Sequence, residues 1–283
     1  MLPSLGGGAF LTGGEVGKEV RIDMSAAMGA LFRLEGRRAL ITGAGGGIGR
    51  TLVSTFAAAG AEVIAADQTY AMTEGIEVRR RLAFDLVDPA AVNAAIEALD
   101  REDLSPDILV SNAGFTRAET MAQVDAASWA RELDINLNGA FHLTRPLVDR
   151  MAARGGGAIV FIASVNALAH YGNPAYSVAK AGLVAFAKSI AVERGAEGVR
   201  ANVVCPGSVR TPAWDHRLQK SPDLLAKVEP HYPLGRMVSP EEVANAALFL
   251  ASDAASGITG AVLPVDAGLT AGNLRFVRDV IEG

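Results

Sequence analysis

Tyr176 and Lys180 stand four residues apart in AYSVAKAGLVAFAKSI, a stretch that reads as a helix. Side chains at i and i+4 share a helix face, about 6 Å apart at Cβ. Twelve residues before Tyr176, Ser164 closes the apolar run AIVFIAS. A phenol, an ammonium beside it and a hydroxyl at a strand end form a set suited to proton transfer. A free phenol has a pKa of about 10, and a nearby cation favours the phenolate. Bringing it to about 7 takes roughly 4 kcal/mol of differential stabilisation. One ammonium together with a positively charged cofactor would supply that.

The elements that must position this set alternate along the chain. Strands are expected at 39–42, 62–66, 80–85, 107–111, 158–163, 199–206 and 261–266. Helices are expected at 48–59, 89–99, 126–152, 175–194 and 240–251. Near-continuous apolar strands separated by helices predict an α/β fold: a single doubly wound parallel sheet covered on both faces. Residues 1–35 are glycine-rich and read as a disordered leader or extension, with Met24 and Met28 as alternative starts. The catalytic domain is expected at 36–268, with a lid at about 208–235 and a tail at 269–283.

TGAGGGIG (42–49) follows the first expected strand and opens the first expected helix. Gly43, Gly47, Ile48 and Gly49 would bring the backbone and a helix N-terminus up to a phosphate. Asp67 ends the second strand, 18 residues beyond Gly49, where a carboxylate meets an adenosine ribose. Its charge would repel a 2′-phosphate, and Gln68 rather than a basic residue follows it. These features argue for NAD over NADP, although Arg50 is close enough in sequence to favour phosphate. The competing reading of Asp67 is a cap for the next loop. Asp85, followed by Leu86, is read either as an adenine contact or as a cap, and Asp88-Pro89 as a helix start. Asn112, Ala113 and Gly114 close the fourth strand. The small residues allow close backbone approach, and Asn112 can tie adjacent strand ends together.

TGAGGGIG, Asp67, SNAG (111–114), Asn136, Ser164, YSVAK (176–180) and Pro206-Gly207 occur in one order over about 34–268. Together they resemble the short-chain dehydrogenase/reductase family. SNAG departs mildly from that family's pattern, which has a second Asn before Asn112. The resemblance implies a Rossmann-like fold and a catalytic group of Ser164, Tyr176, Lys180 and Asn136. Tyr176 would be the general acid/base. Lys180 would lower the pKa of Tyr176 and hold the nicotinamide ribose. Ser164 would bond the substrate oxygen, and Asn136 would place a water joining Lys180 to solvent. It also implies that Pro206, Gly207, Val209 and Thr211 lie along the nicotinamide. Tyrosinate would then take the alcohol proton as hydride moves to the cofactor.

The substrate-facing loops are harder to read. Asn166, His170 and Tyr171 follow Ser164, and Trp214 and His216 lie in the lid stretch. They suit a polyol, a sugar or a related hydroxy compound. A 3-oxoacyl thioester reductase is the alternative, which would use Arg145, Arg210, Arg217 and Lys220 to meet an acidic carrier. A non-catalytic nucleotide sensor is a remote third reading.

The net charge of −5 and pI of about 5.5 argue against nucleic acid as principal partner. Cys205 is the only cysteine, which excludes an internal disulfide or a multi-thiolate metal site. No run of about 20 uncharged apolar residues is present, and a cytoplasmic protein is expected. Small residues along 175–194 favour close helix pairing, as in family members that assemble as homotetramers, with a dimer second.

Overall fold

The computed structural model describes residues 29–116, 120–221 and 223–282; the side chains of Ala213, His216, Arg217 and Lys220 are not described. Seven parallel strands form one sheet in the order β3-β2-β1-β4-β5-β6-β7. They are β1 (Arg38–Thr42), β2 (Glu62–Asp67), β3 (Arg80–Ala83), β4 (Ile108–Ser111), β5 (Gly157–Ile162), β6 (Val199–Pro206) and β7 (Val262–Val265). β1 pairs with β2 on one side and β4 on the other. The chain therefore reverses its winding direction there, opening a crevice beyond the carboxyl ends of β1 and β4.

Alternation along each strand divides the core into two layers. Leu40, Ile64, Leu109, Ile159 and Phe161 face one way. There they meet α2 (Pro89–Arg101), α4 (Gly139–Ala153) and α5 (Pro174–Arg194). Ala39, Ile41, Val63, Val110 and Val160 face α1 (Gly47–Ala58) and, across it, Val243, Ala247 and Leu250 of a later helix (Pro240–Ala251). Leu34, within the expected leader, is already part of this second layer and donates its N–H to Ala59 O. Most of the expected leader, including Met24 and Met28, lies outside the described residues.

The expected single helix over 126–152 is interrupted. α3 (Ala126–Leu133) passes into a wide π turn at Asp134–Asn138 before α4 begins, with Gly139 N–H reaching back to Asp134 O. Such turns often mark functional positions, and Asn136 sits in this one. By length and composition α5 and its extension (Pro174–Glu197) are apolar enough to span a membrane. Here α5 is a core helix whose Ala179, Lys180, Leu183 and Ala187 are buried, packed on β6.

Between β6 and the helix at Pro240–Ala251, the lid stretch forms α6 (Pro212–Lys220) and α7 (Leu224–Val228). The tail forms short helical turns at Leu274–Phe276 and Val277–Ile281, with Phe276, Val280 and Ile281 exposed.

Candidate active site

The glycine loop is held by its own backbone. Gly43 adopts φ +62, a left-handed conformation that favours glycine. A Cβ on Gly45 would overlap Met72 O, and one on Gly49 would overlap Gly43 O. On Gly47 it would come 2.7 Å from Thr211 Cβ. No side chain caps the N-terminus of α1. By contrast, Asp88 caps α2, Asp125 caps α3 and Ser239 caps the helix at Pro240–Ala251. A glycine-lined turn opening on uncapped helix N–H groups fits the pyrophosphate of a dinucleotide.

Neighbouring side chains brace this turn. Thr42 Oγ1 accepts Asn112 N and Ala113 N, both at 3.0 Å, and Asn112 Nδ2 donates to Thr42 O (3.0 Å) and Gly43 O (3.2 Å). Asn112 thus joins the ends of β1 and β4. Asp67 accepts Gly45 N on Oδ2 (2.9 Å) and Gln68 N on Oδ1 (2.8 Å). It caps its own loop and also lies against the glycine turn. Arg50 donates to Gly45 O, Met72 O and Glu74 O. Asp85 accepts Val87 N and Gln68 Nε2, a local turn role. Leu86 packs over Gly139, and its carbonyl meets His142 Nδ1 at 3.2 Å.

At the carboxyl ends of β4, β5 and β6, the four expected catalytic side chains converge. Asn136 is buried. Its Oδ1 accepts Phe115 N (3.1 Å), and its Nδ2 donates to Phe115 O (2.7 Å), Glu132 O (2.9 Å) and Glu132 Oε2 (3.0 Å). Lys180, also buried, donates to Ile162 O at 3.0 Å and lies 5.5 Å from the centroid of the Tyr176 ring. Gly114 makes room for both: a Cβ there would come 2.9 Å from Asn136 Oδ1 and 3.2 Å from Lys180 Nζ. Ser164 lies near enough to the Tyr176 phenol to act on its titration, and its own hydroxyl donates to Asn166 Oδ1 at 3.3 Å.

Burial governs the titration of the pair. The Tyr176 phenol is pushed up to about 12 by desolvation, against the lowering effect of Ser164; the charges of Glu132 and Cys205 raise it further. Lys180 is pulled down to about 8 by desolvation, against the opposing charges of Cys205 and Glu132. In the protein without nucleotide, burial outweighs the groups that would lower the phenol, and Lys180 is itself desolvated.

Pro206 is buried and Gly207 partly so, at the end of β6. A Cβ on Gly207 would lie 3.2 Å from both Asp266 Cα and the Tyr232 ring. Val209 is buried and bridges to Val238, while Thr211 packs on Gly47.

Among the expected substrate residues, Asn166 is engaged within its loop. Its Nδ2 donates to Gly172 O and Ser177 Oγ, and its N–H donates to Ser164 Oγ at 3.2 Å. It therefore orients Ser164. His170 and Tyr171 are exposed on the same loop, and the Tyr171 phenol is raised by burial first, then by Asp266 and Tyr232. Trp214 is half-buried on α6; the side chain of His216 lies outside the description. Sequence reasoning missed Glu132, His142, Ser177 and Tyr232, whose hydroxyl accepts Ser208 N at 2.9 Å. Only Glu132 carried a signal, as a charge four residues before Asn136 on one helix face.

Residues 43–270 match the family model described as enoyl-(acyl carrier protein) reductase. The chain is 39% identical over 252 residues to the D-threitol dehydrogenase of Mycolicibacterium smegmatis, covering 84% of this chain and 95% of that protein. It is 36% identical over 244 residues to the 3-oxoacyl-[acyl-carrier-protein] reductase of Escherichia coli, covering 84% and 99%. An oxidoreductase of the short-chain dehydrogenase/reductase family from Burkholderia thailandensis superimposes with a TM-score of 0.82 at 45% identity, covering 87% and 98%. A gluconate 5-dehydrogenase from Burkholderia cenocepacia, solved with NADP and tartrate, gives 0.80 at 32% identity, covering 87% and 99%. The chain belongs to the short-chain dehydrogenase/reductase family. It is an oxidoreductase acting on hydroxy or keto compounds.

Proposed function

We propose that this dehydrogenase interconverts a secondary alcohol and its ketone with NAD, and that the alcohol is a polyol, a sugar or a related hydroxy compound. The observation that carries the reading is the Tyr176 ring 5.5 Å from the Lys180 ammonium, with Ser164 acting on the phenol, at the crevice lined by the glycine turn. Two adjacent hydroxyls hold one substrate oxygen: Ser164 donates or accepts a hydrogen bond while Tyr176 takes or returns the proton. Bound NAD would supply the hydride acceptor and, as an oxidised nicotinamide, the positive charge that brings a buried phenol towards neutral pH. Lys180 and Asn136 hold the proton side of the site; Gly207, Val209 and Thr211 would line the nicotinamide.

The case for NAD rests on Asp67. Its carboxylate faces the glycine turn, where a 2′-phosphate would meet like charge. Arg50, the nearest candidate for binding that phosphate, is tied to three carbonyls. The kcat/KM ratio for NAD and NADP tests this; a ratio at or below one overturns it, and Asp67→Ser is expected to move it towards NADP.

The substrate class rests on the exposed Tyr171 and His170 after Ser164, on the half-buried Trp214 of α6, and on likeness to a threitol dehydrogenase. Polyols, sugars and 3-oxoacyl thioesters offered side by side decide it, with turnover of thioesters alone refuting the polyol reading. The acyl-carrier alternative has less support because Arg145 pairs with Asp149 and Arg210 lies 3.9 Å from Asp215. The outer faces of α4 and α5 leave Phe141, Val178 and Val192 exposed, which supports a homotetramer. Sedimentation as a monomer would refute that assembly. A cytoplasmic location completes the proposal.

A further inference from the structure

Glu132 is a carboxylate only 6% exposed, one turn before Asn136, and the reaction as described does not use it. Its Oε2 accepts Asn136 Nδ2 at 3.0 Å while its own carbonyl accepts the same amide at 2.9 Å. With Phe115 O also accepting from Nδ2, the amide has one orientation: Oδ1 turns towards Phe115 N and the space beside Gly114. Lys180 Nζ borders that same space. A buried anion therefore stands one side chain away from a buried cation, with Asn136 between them.

We propose that Glu132 is a positioning residue for the catalytic pair, fixing the Asn136 amide and supplying the negative charge that holds Lys180 as an ammonium in its buried site. A carboxylate removed from water is costly unless hydrogen-bonded, and Asn136 Nδ2 is one of the donors to this one. Among the described residues, the titratable groups acting on Lys180 are Tyr176 on its own helix, Cys205 at the end of β6 and Glu132 from α3. Burial acts against the ammonium; Cys205 first and then Glu132 act for it. The same charge raises the Tyr176 phenol, so its removal moves both groups in one direction.

The test compares Glu132→Gln, which keeps an acceptor for Asn136 but loses the charge, with Glu132→Asp, which keeps the charge. Lys180 is followed by NMR of Cε-labelled lysine in the protein without nucleotide, its signal assigned with Lys180→Met. The Lys180 midpoint is expected to fall by about half a unit or more in Glu132→Gln, the direction that follows from losing a nearby opposite charge. Glu132→Asp is expected to stay near the parent. The acidic limb of alcohol oxidation should move to lower pH in Glu132→Gln in the same way. A Lys180 midpoint identical in the parent and Glu132→Gln overturns the proposal whatever the activity. A shifted midpoint with no alcohol turned over by any variant supports it and refutes the functional reading above instead.

Discussion

The two ends of the crevice are built differently. At the nucleotide end, backbone and short side chains do the work. Glycines allow contacts that any Cβ would block, and Thr42, Asn112 and Asp67 bond main-chain groups within the turn. At the proposed substrate end stand long side chains on the 164–172 loop, α6 and the segment around Tyr232, several of them exposed. A fixed ligand chemistry, the pyrophosphate, is matched by main-chain geometry, which tolerates little substitution. A variable one is matched by side chains on loops, which can change without disturbing the sheet. Tyr176 and Lys180 lie at the seam, anchored on a core helix that serves both ends.

The largest expected effect is at the seam. Tyr176→Phe should lower kcat/KM by about 10²–10⁴-fold, the usual contribution of a positioned acid/base. NADH binding and the thermal unfolding midpoint should stay near the parent values. Retention of most of the turnover would show that the seam does not carry the proton.

The contrast between the ends is tested next by a pair of glycines. Gly49→Ala places a Cβ on Gly43 O within the cradle, and should cost about 1–3 kcal/mol of stability and weaken NADH binding. Gly235→Ala, on the substrate side with φ +70 and open space around its Cβ, should cost only about 1 kcal/mol and leave NADH binding alone. Fluorescence titration and denaturant unfolding of both would erase the contrast if the two behaved alike.

The seam also has a pH signature. The folded-state pKa of Lys180 is lowered to about 8 from an ordinary value of 10.5. Between these values the unfolded chain binds more protons than the folded one, so Lys180 makes stability rise with pH. Tyr176, raised to about 12, opposes this only above about pH 10. Denaturant midpoints should therefore climb from pH 8 to 10 in the parent, and climb less in Lys180→Met. Parallel slopes in the two proteins would show that burial does not lower the Lys180 pKa.

The smallest effect is expected at the substrate wall. Tyr232→Phe removes the acceptor of Ser208 N–H, for about 1 kcal/mol. KM for the alcohol should change while NADH affinity does not; an equal change in both would tie the wall to the nucleotide end.

Much of the fold was legible because each strand is a short apolar run bounded by turn residues, and β6 at Val199–Pro206 coincides with its expected span. The interruption of the 126–152 helix was not legible. Asp134, Ile135 and Leu137 continue a helical pattern, and only Gly139 N–H reaching Asp134 O widens the turn that carries Asn136. Asn166 and Asp85 show the same limit on the site itself. Their types suit a ligand, yet their hydrogen bonds close their own loops.

The sequence by itself determined which groups could react, because Ser164, Tyr176, Lys180 and the glycine turn carry their chemistry in residue type and local spacing. Tertiary structure decided what state those groups are in. Whether a phenol sits at 10 or near 12, and whether Glu132 acts on Lys180 across Asn136, depends on burial and on charges brought together from α3, α5 and β6. Desolvation and electrostatic interaction are set by distance through space, and spacing along the chain does not record them.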